Sequence, residues 1–213
     1  LSKSHFTQYR ISQTFVINNG TGTSNHKDYE KWQPNIPGSQ SKTSMGPEII
    51  KKIIEAGTHA PSGDNVQPWE FGVTDSALFL FNIPEREHPF YSINGNGSLV
   101  AHGMLLENII IAASEFGYRA AYELFPTTKR PHCVAKVTFK KTERIAPDPL
   151  YMLISKRATN RRSFEKKPLS PDEEADILRA PKSVGAGAIA LLQDRASIDA
   201  MANAVSTNEI IAL

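Results

Sequence analysis

The stretch that decides the fold reads APSGDNVQPW and spans residues 60–69. It stands between a helical pattern that ends near His59 and a strand pattern that begins at Trp69. Its small, hydroxyl and amide residues predict a compact loop with exposed backbone N–H groups. Asn65 and Gln67 each offer hydrogen-bond donors and acceptors, so this loop could line one side of a flat polar heterocycle. The alternative is a turn whose Ser and Asn side chains bond only their own backbone.

The sequence on either side of this loop predicts a helix and a hairpin. Upstream, apolar residues recur at helical spacing from Pro47, a residue that suits the first turn because its missing N–H has no helical partner there. Downstream, residues 69–74 and 77–83 are strand-like and are joined at Asp75-Ser76, as in a hairpin. Residues 98–116 form the strongest helical pattern and are apolar around most of the circumference, which predicts a central buried helix.

A second informative stretch, RATNRR, spans residues 157–162. Guanidinium groups bind phosphate bidentately and keep their charge, so three arginines and a hydroxyl in six residues suit a phosphate. In a helix, Arg157 and Arg161 would share one face. The alternative is a solvated basic turn at a helix end, which the helix dipole favours.

The remaining elements alternate between strands and helices. This interleaving predicts an α+β or mixed α/β class. Ser170 and Glu173 have the spacing of a capping box. The predicted strands cover residues 13–17, 133–141 and 187–193, and the predicted helices cover residues 149–156, 170–180 and 196 to the end.

Composition excludes several classes of protein. A hydrophobic fraction of 40% in 213 residues is enough for a core, which excludes wholesale disorder. A formal charge of +2 gives no reason to expect nucleic acid or an anionic membrane, and no apolar run of about 18 residues predicts a transmembrane helix. One cysteine, Cys133, and six scattered histidines predict no metal site. The single cysteine also fits a reducing cytoplasm.

The two stretches together resemble the nitroreductase-like flavoprotein family. In that family a loop of the form A-P-S-x-x-N-x-Q-P-W-x-F is matched at every fixed position by residues 60–71. The R-x-S/T-x-R phosphate motif is matched by residues 157–161, and its downstream R/S-F pair and P-L-S helix start are matched by residues 163–164 and 168–170. The helix pattern that ends at Gly117-Tyr118 is similar to the central helix of the family.

This resemblance implies a fold, a cofactor and a reaction. The fold is α+β, a mixed β-sheet flanked by helices around a central buried helix. The cofactor is FMN, which passes hydride from NAD(P)H to a small acceptor of the nitroaromatic or quinone class, so the resemblance implies no catalytic side chain and no metal. The implied cofactor-binding residues are Pro61, Ser62 and Gly63 near the isoalloxazine, Asn65 and Gln67 beside them, and Arg157, Thr159 and Arg161 at the phosphate.

The order of the motifs resembles the two-repeat, Acg-like branch, because the arginine motif comes after the A-P-S motif instead of preceding it. We therefore expect an extension or linker over residues 1–46, a first nitroreductase-like half over 47–148, and the start of a truncated second half over 149–213. The chain would then be partial. In this family the flavin site lies between two halves, which implies a homodimer or a fused pseudo-dimer.

Two alternatives to a cytoplasmic oxidoreductase stay open. The first is a catalytically inactive or flavin-sequestering protein of the same fold, because some Acg-like proteins are thought to cover or lose the flavin site. The second is a nitroreductase-like module of a larger chain, with residues 1–46 as its linker.

Overall fold

The computed structural model describes residues 7–9, 45–74, 77–87, 95–127, 132–162, 165, 167–183 and 189–212 of the chain. The strand predicted over residues 13–17 lies outside these ranges. The chain divides into two compact units, Leu1–Ala158 and Thr159–Leu213. The division into halves at residue 149 stays a prediction, and residues 149–158 belong to the first compact unit.

The first helix, α1, spans Pro47–Thr58 and has Pro47 in its first turn, as predicted. Its apolar residues recur at helical spacing, so they line one face. That face packs against the second helix and the sheet. The buried residues of α1 are Ile50, Ile53, Ile54 and Gly57.

The second helix, α2, spans Asn96–Glu115 and begins after Gly95, whose φ of 77° is left-handed. Ten of its twenty residues are buried, which confirms the predicted central helix. Among the described residues, α2 is the one helix long and apolar enough to cross a membrane by length and composition. However, 56% of that window is buried inside the protein, as in the core helix of a folded domain.

Helices α1 and α2 approach closely at a glycine. A Cβ added to Gly57 would lie 2.9 Å from Ile109 Cγ1 and 3.1 Å from Leu105 Cδ1. Both distances are shorter than an ordinary van der Waals contact between carbon atoms. The absence of a side chain at Gly57 therefore allows this helix pair to pack at its observed distance.

The sheet has five strands in the order β1-β2-β3-β5-β4. They are β1 (Thr7–Tyr9), β2 (Trp69–Val73), β3 (Leu78–Asn82), β4 (Tyr118–Leu124) and β5 (Cys133–Lys141). All of their described pairings are antiparallel, unlike the mixed sheet that the resemblance implied. The reason is that β2–β3 and β4–β5 are hairpins, whose strands pair antiparallel, and that β3 and β5 also pair antiparallel.

Strand β3 carries apolar residues on both of its faces. Successive side chains of a strand point to opposite sides. Leu78 and Leu80 are fully buried in the cluster that contains α1 and α2, and Phe79 and Phe81 belong to a second cluster with Cys133. The first unit is thus an α+β structure whose main core lies between the two helices and one face of the sheet.

The second unit is helical over most of its described residues. Its helices are α4 (Pro171–Ser183) and α5 (Arg195–Ala212), and a short helix α3 (Tyr151–Ile154) precedes them within the first unit. Helix α4 runs through Pro181 to Ser183, beyond its predicted end at residue 180. The strand predicted over residues 187–193 is wrong for residues 189–193, which form no strand. An isolated apolar run becomes a strand only when a neighbour pairs with its backbone.

Candidate functional site

The A-P-S loop, residues 60–68, begins directly after the end of α1. The His59 N–H donates to the Ala56 carbonyl at 3.2 Å, and the Ala60 N–H donates to the Gly57 carbonyl at 2.9 Å. These bonds close the last turn of the helix. Trp69 then begins β2 and is buried. The loop is thereby tied at both ends to core elements of the first unit.

Within the loop, backbone N–H groups are used mainly by the loop itself. The N–H of Asn65 donates to the Ser62 carbonyl at 3.0 Å, and the N–H of Val66 donates to the Gly63 carbonyl at 3.0 Å. The Ser62 hydroxyl accepts a third bond, from the N–H of Gln67 at 3.0 Å. This geometry favours the predicted alternative, a turn that bonds its own backbone, over a loop that presents those three N–H groups to a ligand.

The loop also contains strained backbone. Asp64, Asn65 and Gln67 have φ values of 45°, 55° and 48°. Non-glycine residues with such φ values are uncommon and persist where their surroundings hold them, often at functional sites. Gly63, Asp64 and Asn65 are exposed at the tip, whereas Pro61 and Ser62 are half-buried. The tip is therefore a solvent-facing surface with an unusual backbone conformation.

Gln67 is held at several points. Its side-chain Nε2 donates to the Thr58 carbonyl at 3.3 Å, across the neck of the loop. Its carbonyl accepts from the Trp69 N–H at 2.8 Å and from Arg86 Nη1 at 2.9 Å. Sequence reasoning selected Gln67 but missed Arg86, because a lone arginine 19 positions along the chain carries no motif.

The structure brings Arg157 to His59, the residue that directly precedes this loop. Its guanidinium Nη2 donates to the His59 carbonyl at 3.2 Å, although the two residues are 98 positions apart. Asp148 helps to anchor the approach to α3, because its N–H donates to the Ser114 hydroxyl at 2.9 Å. After α3, the Arg157 N–H donates to the Leu153 carbonyl at 2.9 Å. Arg157 itself is exposed, so its charge is available beside the loop.

The other two residues of the arginine motif belong to the second compact unit. Thr159 and Arg161 are exposed there. The Arg162 N–H donates to the Asn160 side-chain oxygen at 3.0 Å, which forms a local turn. Of the predicted phosphate ligands, the first unit therefore brings only Arg157 to the A-P-S loop.

A buried histidine on α2, His102, packs against Trp69 at the end of the loop. His102 Nδ1 lies 2.8 Å from the Ser98 carbonyl oxygen, and Nε2 lies 3.3 Å from the Phe81 carbonyl oxygen. The Trp69 ring meets the imidazole edge-to-face at 6.1 Å between centroids. Burial lowers the pKa of His102, against smaller opposing effects that include the charge of Glu87. The neutral form is therefore favoured.

Metal ligands do not cluster in the described part of the chain. It contains no group of three or more His, Cys, Asp or Glu side chains that could hold a metal ion. Cys133 is a buried free thiol at the start of β5. The first unit therefore offers an arginine-flanked loop as its candidate site.

Two curated proteins of Mycobacterium tuberculosis are similar in sequence to the chain. One, named "Putative NAD(P)H nitroreductase acg", is 26% identical over 132 residues, which cover 59% of this chain and 39% of that protein. The other also has a name that begins "Putative NAD(P)H nitroreductase" and is 26% identical over 121 residues, or 55% of this chain and 34% of that protein. The resemblance to the nitroreductase-like family is confirmed. The chain spans between a third and two-fifths of the length of these nitroreductase-like relatives.

Solved nitroreductase-like structures overlap part of the chain. A Desulfovibrio desulfuricans protein, described as a "putative nitroreductase" in complex with FMN, is 18% identical and covers 60% of this chain and 90% of its own, with a TM-score of 0.39. A Parabacteroides distasonis protein, described as a "Putative NADH dehydrogenase/NAD(P)H nitroreductase", is 15% identical and covers 58% and 90%, with a TM-score of 0.40. No family model matches the chain.

Proposed function

We propose that this chain is part of an FMN-dependent NAD(P)H oxidoreductase of the nitroreductase type. The observation that carries the proposal is the contact between Arg157 and His59, because it places the first residue of the arginine motif beside the start of the A-P-S loop, 98 positions away. The two motifs are separate signals in the sequence. Their meeting in the first unit is what a shared ligand site requires, and the names of the curated relatives support the same reaction class.

The residues present fit the chemistry of FMN. A guanidinium suits a phosphate because it donates several N–H bonds in one plane and keeps its charge. Arg157 is exposed and donates one Nη2 hydrogen to the His59 carbonyl, so four of its five N–H donors are left to bind a phosphate. The exposed tip at Gly63 and Asn65 offers the polar surface that a flavin ring needs.

Each predicted residue has a part in this proposal. Bound FMN would supply the redox chemistry between NAD(P)H and the acceptor. The protein would supply binding and orientation. Pro61, Ser62 and Gly63 would face the ring system, Asn65 and Gln67 would lie beside them, and Arg157, Thr159 and Arg161 would bind the phosphate.

We also propose an acceptor class, a cellular location and a source for the rest of the site. The acceptor belongs to the nitroaromatic or quinone class, and the enzyme works in the cytoplasm. The flavin site would be completed by a second nitroreductase-like half, from another copy of the chain or from further sequence of the same protein. A flavin-binding protein without turnover is the second candidate, because the N–H groups of Asn65, Val66 and Gln67 are engaged inside the loop.

Absorbance of the purified protein, recorded with and without added FMN, tests the proposal. Retained flavin that is bleached by NADPH and recovers on adding a quinone would support the oxidoreductase. Retained flavin without bleaching would favour the second candidate. A protein that takes up no FMN would overturn both of these functions for the chain.

Arg157→Ala should weaken FMN binding, because it removes a charged donor from the phosphate. A lost charged hydrogen bond costs about 1.5–3 kcal/mol, or roughly a tenfold to hundredfold rise in Kd. Titration of flavin fluorescence measures the change. Arg119→Ala is the matched control, since Arg119 is an exposed arginine on β4, outside both motifs. Equal affinity of the Arg157 variant and the control would remove Arg157 from the site.

A further inference from the structure

Arg86 is a second arginine whose guanidinium is fixed to the loop. It ends a short 3-10 helix, Pro84–Arg86, that comes soon after β3. Next to it, the Ile83 N–H donates to the Pro68 carbonyl at 2.9 Å, so the segment is anchored beside the end of the loop. From there, Arg86 Nη1 donates to the Gln67 carbonyl at 2.9 Å.

Gln67 needs such support because of its backbone. Its φ of 48° is unfavourable for a residue with a side chain. The bonds with Ser62, Thr58 and Trp69 all come from within residues 58–69, so they are local along the chain. The Arg86 bond differs, because it comes from a segment 19 positions away, after β3, and so links Gln67 to a part of the fold outside residues 58–69.

We propose that Arg86 is a positioning residue that fixes Gln67, and with it the polar rim of the loop, for a flavin ring. This inference rests on the proposed function, because it assigns Gln67 to the ring side of the site. It gives different roles to the two arginines that contact the ends of the loop. Arg157, at the His59 end, serves the phosphate, whereas Arg86, at the Gln67 end, holds the backbone that meets the ring.

The two roles predict different ligand dependence. Riboflavin has the ring of FMN without its phosphate. A residue that positions the ring-facing loop should therefore affect both ligands by the same factor, and a phosphate ligand should affect FMN alone. Arg86→Ala should raise the Kd of FMN and of riboflavin equally, by roughly threefold to tenfold, since it removes one exposed charged hydrogen bond.

The experiment compares the chain with its Arg86→Ala, Arg86→Lys and Arg119→Ala variants. Each is titrated with FMN and with riboflavin, and amide hydrogen exchange of residues 58–69 is measured without ligand. Arg86→Ala should speed exchange at the Gln67 and Trp69 N–H groups. Arg86→Lys keeps a charged donor and should restore part of both properties, and Arg119→Ala should change neither.

Two results would overturn the inference. One is a loss of affinity in Arg86→Ala for FMN but not for riboflavin, which would make Arg86 a phosphate ligand. The other is unchanged exchange in Arg86→Ala, which would show that the loop does not depend on this bond. If the unmodified chain binds neither flavin, the proposed function fails and the assignment of Gln67 to a ring fails with it. The exchange measurement then still reports whether Arg86 holds the loop.

Discussion

The two compact units contain similar helices and differ in what those helices bury. In the first unit, Ile53 and Ile54 on α1 have no exposed surface. In the second, Ile198, Met201 and Val205 on α5 are 39%, 54% and 53% exposed. None of the described residues of the second unit is buried. Apolar residues at helical spacing are thus present in both units, yet among the described residues only those of the first unit form a core.

This difference separates local from tertiary causes of structure. Helix α4 begins with a capping box, in which the Glu173 N–H donates to the Ser170 hydroxyl at 3.3 Å and the Ser170 N–H donates to the Glu173 carboxylate at 2.7 Å. Such a cap needs no partner outside the helix. Helix α1 has no side-chain cap and is stabilised by packing against α2 and the sheet. The first unit should therefore depend on its core and the second on local bonds.

The largest effect should come from truncating a core isoleucine. Ile109→Ala removes a fully buried side chain from α2 and should lower the free energy of unfolding by about 2–5 kcal/mol. Ile198→Ala makes the same change on α5, at a residue that is 39% exposed, and should change the free energy by about 0.5 kcal/mol or less. Urea unfolding followed by far-ultraviolet circular dichroism measures both, because the helices of both units contribute to that signal. Equal losses would contradict the difference between the units.

A smaller effect should come from the glycine at the helix crossing. Gly57→Ala places a methyl group 2.9 Å from Ile109 Cγ1 and should cost about 1–3 kcal/mol through overpacking. Gly103→Ala is the matched control, because an added Cβ on this exposed residue of α2 meets nothing within 4 Å. That control should instead raise stability by about 0.5–1 kcal/mol. Thermal unfolding measures the stability of both variants. A stabilising Gly57→Ala would show that α1 and α2 are not closely packed.

Much of the first unit could be predicted because its signals are local. Hydrophobic periodicity and the residues that begin or end helices predict three of its elements: the start of α1 at Pro47, the central helix and the strand over residues 133–141. Strand β4 was missed, since Tyr118–Leu124 contains two alanines and a glutamate, which are poor strand formers. It becomes a strand because β5 pairs with it residue by residue. Pairing of this kind cannot be inferred from one segment.

The candidate site shows the same limit. The residues of the A-P-S loop could be selected from sequence, because Pro, Gly and amide residues mark a special backbone. The hydrogen bond from the Gln67 N–H to the Ser62 hydroxyl could not be predicted, because it depends on the φ values that the loop adopts. Arg86 could not be found either. Its role comes from the end of β3, which the fold places beside the loop.

Acidification should destabilise the two units over different pH ranges, because their titrating groups differ. Burial lowers the pKa of His102 below its ordinary value of 6.5, so the unfolded chain takes up this proton first. The free energy of unfolding of the first unit should therefore fall as the pH drops through 6.5. The Ser170 N–H, helped by its hydroxyl, lowers the pKa of Glu173 below 4.5. The cap of α4 should thus keep its contribution above pH 4.5 and lose it at lower pH.

His102→Gln tests this order of events. Glutamine can still donate a hydrogen bond to a carbonyl but does not titrate, so the stability of the first unit should vary less between about pH 7.5 and about pH 5.5. Urea unfolding at several pH values measures this, and the amide resonance of Glu173 follows the cap over the same range. A His102→Gln variant with unchanged pH dependence would assign the loss to another group. An early change at Glu173 would show that the cap of α4 does not titrate locally, which is the property that distinguishes the second unit.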